Sequence, residues 1–298
     1  MPHARFSGIL TPSMGIALMV LTSLLFATMA ALIKGMGSHF PPMEMVFWRS
    51  LLSLPVLALI VSRLRVPHFG SSHRNIFLRS VSGLGAMFFY FFALPRLPLA
   101  MCSFLYNTLP IWVAILAPLM LAEKATRRTR IAIVLGVAGL LLMIKPGIHW
   151  GWPVLFMLTS AIFGAFAHIF IRKLGRTEHP LTVVFDFTLI ITVGSGLLSI
   201  PDFVPPTTPQ WGTLLIISLL AAAGQFTMTM AYRMEEAPVI AAAGYSAILF
   251  STIYDWVFWG SVVGPWTWAG GTLIVAGGLQ LAWKHIRNAV FELYDFFT

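Results

Sequence analysis

The chain has 298 residues, 58% of them hydrophobic and only 10% charged, whereas a soluble globular domain carries about 25% charged residues. This excludes an ordinary soluble protein and marks an integral membrane protein. The net charge of +9 is no nucleic-acid footprint, because the basic residues stand in short clusters between apolar runs rather than on one polar face.

In chain order, ten segments are long and apolar enough to cross hydrocarbon. A crossing needs about 20 such residues at 1.5 Å each, with every backbone polar group satisfied internally. The spans are Met14–Met36, Pro42–Val61, Asn75–Leu94, Leu97–Leu121 and Arg130–Ile144, then Pro153–Ile171, Leu181–Ile200, Trp211–Ala231, Pro238–Trp259 and Trp266–Trp283. The first is longer than the core of a cleaved signal peptide, about 7–15 residues, and reads as a retained span. Connectors such as "GSHFPP", "PRLP" and "PDFVPPTTPQ" are short and turn-rich, with no room for a soluble domain. The single Cys102 lies in an apolar run, and no motif with metal or phosphate-binding spacing occurs. No cofactor and no metal are expected.

With a cytoplasmic N-terminus, 15 of the 19 Lys and Arg residues fall in inside connectors and tails, Arg79 being counted among them. Trp150, Trp152, Trp211, Trp256, Trp259, Trp266 and Trp268 fall at the outer boundary. Both signals place the two termini in the cytoplasm and the chain in the cytoplasmic membrane. The tail, "KHIRNAVFELYDFFT", suits either an interfacial helix or a disordered end.

A shift of about 138 residues lays "PPMEMVF" over "HPLTVVF", Ala93 over Ala231 and Ala138–Gly139 over Ala276–Gly277, and with one residue of slippage the two "LTS" triplets meet. The chain therefore reads as a duplication, with one five-helix repeat over residues 1–147, a second over 148–284, and a tail over 285–298. Five crossings per repeat is an odd number, so the second copy enters from the opposite side. The fold class is thus all-α, ten transmembrane helices in two inverted repeats, an arrangement typical of secondary transporters.

Arg49 stands about seven residues below the outer start of its span. A lipid-facing Arg at the bilayer centre costs about 2.5–3.5 kcal/mol, so this one should turn inward. It reads either as an anchor for an oxyanion on a solute or half of a gating pair, or as a structural charge that snorkels or pairs with Glu44.

These features resemble the ten-span drug/metabolite transporter superfamily in its EamA-type branch. The resemblance runs from Gly15 to Trp283. It rests on Arg49, on "FFYFFALPRLPLAMCSFLYNTLP", on "LMLAEKAT" with Glu123, and on "GVAGLLLMI" and "AGGTLIVAGGLQLA" closing the halves. Two departures stand out: Glu123 is matched by Ser261 and Pro110 by Ile248. In the resembled fold the third, fourth, eighth and ninth spans line the cavity. That implies a solute site from Tyr90, Tyr106, Asn107, Trp112, Gln225, Tyr245 and Ser246 beside Arg49, with interhelical bonding as the alternative role. Asp186, next to the repeat mate of Arg49, is the first candidate for proton coupling, or else a structural partner of a polar group on a neighbouring helix; His168, Glu44 and Asp255 are candidates for coupling or gating, against a histidine satisfied by a carbonyl or water and an aspartate at the outer interface. Pro110 should bend the fourth span, and Gly136, Gly139, Gly277 and Gly278 should let the fifth and tenth pack closely.

The expected activity is secondary transport of a small polar or zwitterionic metabolite by alternating access, compatible with proton coupling, and not an enzyme. A channel or scaffold is the alternative, followed by an enzyme acting on lipid-linked substrates. The expected partners are a small-molecule solute and the lipid bilayer; nucleic acid is excluded, and a homodimer is left open.

Overall fold

The computed structural model describes residues 12–36, 39–121, 127–143, 151–175, 177–234, 240, 243–277 and 280. Glu123, the connector at 144–150 and the tail at 281–298 lie outside them. In chain order the helices are α1 (Pro12–Gly35), α2 (Pro42–Leu51), α3 (Leu54–Arg63), α4 (His73–Ala93), α5 (Leu99–Tyr106), α6 (Leu109–Leu121) and α7 (Arg127–Met143). The second half supplies α8 (Trp152–Leu174), α9 (Pro180–Ser199), α10 (Thr208–Met234), α11 (Ser246–Trp259) and α12 (265–277). No strand occurs among the described residues.

Six spans are long and apolar enough to cross a membrane unaided: Met14–Gly35, Pro42–Arg63, His73–Arg96, Trp152–Leu174, Pro180–Asp202 and Thr208–Met234. The fourth, fifth, ninth and tenth crossings are shorter or broken helices. Large apolar side chains such as Leu59, Val134 and Leu197 point outward, as a lipid-facing surface requires.

Among the described residues, three crossings are interrupted. The second breaks at Leu52–Ser53, where Pro55 lacks the N–H that would continue the ladder and Ser53 Oγ donates to the Ser50 carbonyl at 2.8 Å. The fourth breaks at Asn107–Thr108, so Pro110 does more than bend it. Asn107 Nδ2 donates to the Ser103 carbonyl at 2.8 Å, and Thr108 Oγ1 to that of Leu105 at 2.7 Å, each beside a backbone N–H that bonds the same carbonyl. The ninth breaks at the matching place, Gly244–Tyr245, without a proline. There Gly244 supplies the weak point, and Ser246 Oγ caps the Ala243 carbonyl at 2.7 Å. The halves differ in sequence at this point yet break alike.

Helix packing obeys a two-fold relation between the halves. The first crossing lies on the eighth as the sixth lies on the third, and the first on the ninth as the sixth on the fourth. The second on the eighth is matched by the seventh on the third. Individual bonds repeat the relation. Thr22 and Ser160 are repeat mates, each without exposure. Thr22 shares a 2.7 Å bond with Thr227 on α10, and Ser160 donates to the Ala86 carbonyl on α4 at 2.7 Å. Glu44 accepts from Val204 N at 2.9 Å, and its mate Thr182 donates to the Pro67 carbonyl at 2.6 Å.

The fifth and tenth crossings join the core through Ile133, Leu140 and Ile274 and pack on each other. A Cβ on Gly139 would collide with the Gly270 carbonyl and the Ile274 side chain, so α7 and α12 touch backbone to backbone.

Candidate functional site

Eight crossings, all but the fifth and tenth, surround a cavity of ≈ 200 Å³ at the centre of the bundle. A cavity of about 150 Å³ already accepts a molecule the size of benzene, so this one has room for a small solute. Its walls are mostly apolar, with Phe26, Phe91 and Phe187 and the thioethers of Met19, Met29, Met87 and Met228.

Two guanidiniums enter this chamber. Arg49 on α2 is 4% exposed and Arg79 on α4 is 3% exposed. Among the described residues, Arg49 donates only to Met29 Sδ at 3.5 Å and Met87 Sδ at 3.3 Å, with the Phe91 ring 5.7 Å away. Thioethers are weak acceptors and carry no charge. Arg79 donates to Gln225 Oε1 at 3.1 Å and lies 3.3 Å over the Phe187 ring. Among the described residues, the Nε atom of each has no acceptor. Among the described residues no carboxylate reaches either one. Burying a charge costs several kcal/mol unless it is paired, so both guanidiniums face an unmet demand for negative charge.

The sequence reading counted Arg79 with the inside connectors, and the structure corrects this. The signal available was Gly83, one turn on: a Cβ there would lie 2.9 Å from Arg79 Nη1 and against the Phe187 ring, so the glycine leaves the guanidinium its berth.

Of the other candidates, the chamber gathers Tyr90, Tyr106, Asn107, Gln225 and His168. The Tyr90 and Tyr106 rings meet edge to face, centroids 5.6 Å apart. His168 Nδ1 shares a 3.2 Å hydrogen bond with the Tyr232 hydroxyl. Ser103 and Ser251, bonded to each other at 2.5 Å, also line it, as do Thr22, Ser23 and Ser160; none of these was singled out from the sequence.

The remaining candidates stand elsewhere. Trp112 Nε1 donates to Thr108 Oγ1 at 3.2 Å, Tyr245 OH to the Ile274 carbonyl at 3.4 Å, and Ser246 caps its own helix. Asp186 accepts from Gly70 N at 2.8 Å, beside Glu178, whose Oε1 accepts from Ser71 N, Ser71 Oγ and Ser72 N at 2.8–3.0 Å; together they fasten the connector before α4. Glu44 is not the partner of Arg49. It accepts from Trp48 Nε1 and Val204 N, both at 2.9 Å. Asp255, wholly buried, pairs with Lys34 Nζ at 3.0 Å and accepts from Ala100 N at 2.7 Å, joining the first, fourth and ninth crossings. Among the described residues no cluster suited to a metal ion occurs.

A mostly apolar chamber with a few directional polar groups, set between two halves, fits carriage better than chemistry, and comparison with known proteins decides the point. The model of the EamA-like transporter family matches residues 13–145 and again 151–282. The chain belongs to the EamA-like transporter family. It is 32% identical to the pseudopaline exporter CntI of Pseudomonas aeruginosa (strain UCBPP-PA14), over 90% of this chain and 95% of that one. It is 24% identical to a riboflavin transporter of Rhizobium johnstonii, over 84% and 83%. A solved crystal structure superposes with a TM-score of 0.63 at 18% identity over 92% of this chain and 97% of that one, a likeness of fold. This EamA-like chain is therefore a multi-pass membrane transporter of small metabolites and not an enzyme.

Proposed function

We propose that the protein carries a small polar or zwitterionic organic solute with an anionic group by alternating access, and that Arg49 binds that group. The observation behind this reading is the buried Arg49 guanidinium, aimed into the chamber with only thioethers for company. A planar guanidinium suits a carboxylate or phosphate bidentately. Tyr90, Tyr106, Asn107 and Gln225 supply directional contacts to the body of the solute. Trp112, Tyr245 and Ser246 serve the helix breaks that shape the chamber. For a coupled proton, the His168–Tyr232 pair is the place in the chamber, whereas Asp186 is engaged with a connector. Residues 1–147 and 148–284 act as the two rocking halves. The basic connectors favour the cytoplasmic membrane with both termini inside, and the exporter among the relatives favours outward transport.

A thermal-shift screen of purified protein against a metabolite library tests the anchor, since a ligand that binds the folded state raises its stability with occupancy. Compounds with an anionic group should stabilise, with about tenfold weaker apparent affinity in Arg49→Gln. Stabilisation by cations alone, or hits unaffected by Arg49→Gln, would refute it.

A further inference from the structure

We infer that the chamber takes a solute bearing two anionic groups, the second held by Arg79; this deepens, and rests on, the reading of Arg49 above. The two guanidiniums mark two heights along one wall. Arg49 Nη2 touches Met87 Sδ, while Arg79 Nη1 lies against Gly83. Those positions are four residues apart on α4, or about 6 Å along its axis. A single carboxylate on Arg49 leaves Arg79 with a neutral amide oxygen and a ring face. Neither supplies a formal charge. The described carboxylates that could have served as counter-ions are engaged: Glu44 with Trp48 and Val204, Glu178 and Asp186 with the connector, and Asp255 with Lys34. Among the described residues no carboxylate is left to complete an internal gate with Arg79. The wall between the two heights is Gly83, Ala86 and Met87, apolar and smooth, suited to a short hydrocarbon spacer.

Glutarate and adipate, dicarboxylates with three- and four-carbon spacers, serve as probes beside valerate and hexanoate, their chain-matched monocarboxylates. Affinities are read by thermal shift on the purified full chain at constant ionic strength. For wild type, the better dicarboxylate should bind about tenfold more tightly than its monocarboxylate. Arg79→Gln should shrink that preference to within about threefold, and Arg79→Lys should keep part of it, because the charge remains while the planar fork is lost. Equal affinities in wild type, no binding of either dicarboxylate, or a preference that survives Arg79→Gln would each overturn the inference. The wild-type comparison stands whether or not the variants fold. If Arg49→Gln weakens every acid while Arg79→Gln keeps the preference, the single anchor survives and the second fails. If Arg49→Gln binds the monocarboxylates like wild type, the first anchor fails and this inference with it.

Discussion

At the scale of single residues, burial and partner separate the charges that hold the protein together from those that wait for a solute. Asp186 belongs to the first kind. Asp186→Leu leaves Gly70 N–H unpaired and should cost about 1–3 kcal/mol in an unfolding titration, while the pH profile of transport keeps its shape. A flattened profile would return Asp186 to the coupling role its place in the sequence suggested. Arg49 was legible because a cation deep in an apolar run has few tolerable explanations. Arg79 was not, because four residues from a span's end a cation usually reaches water, and only the folded position of Gly83 and Phe187 shows that it turns inward.

At the scale of helices, the sequence showed where the crossings lie but not where they break. Pro110 pointed to a distortion in the fourth crossing, yet its absence from the ninth, where Ile248 stands, suggested asymmetry that Gly244 undoes. Capping of α9 gives a pH-dependent case. His179 Nδ1 accepts from Leu181 N at 3.3 Å, which requires an unprotonated nitrogen. Partial burial, and then the charge of Arg233, hold its pKa below the ordinary imidazole value. A depressed histidine favours the fold fully above about pH 6.5, the unfolded value. That contribution is lost as pH falls through the lower folded value. Melting temperatures at pH 7.5 and pH 5 should therefore differ more for wild type than for His179→Asn, which caps without titrating. An equal difference would show the cap to be irrelevant.

At the scale of the whole molecule, the odd number of crossings and the 138-residue register made the inverted duplication readable, because both follow from hydropathy and periodicity alone. Which polar groups share the chamber depends on packing between halves far apart in sequence, as Arg79 with Gln225 and Ser103 with Ser251 show. The Lys34–Asp255 pair closes one end of this assembly across the first and ninth crossings. Asp255→Ala strands a largely buried ammonium and should cost about 3–5 kcal/mol, whereas Asp255→Ala combined with Lys34→Met should recover most of that by thermal unfolding. No recovery would mean that the bond to Ala100 N, and not the ion pair, carries the stability. The account as a whole is tested most directly by counterflow in proteoliposomes, using the compound that stabilises wild type most in the library screen. Uptake against a preloaded gradient should saturate with concentration and, below saturation, fall about tenfold in Arg49→Gln; flux that stays linear, or that persists undiminished in that variant, would contradict a carrier built around this arginine.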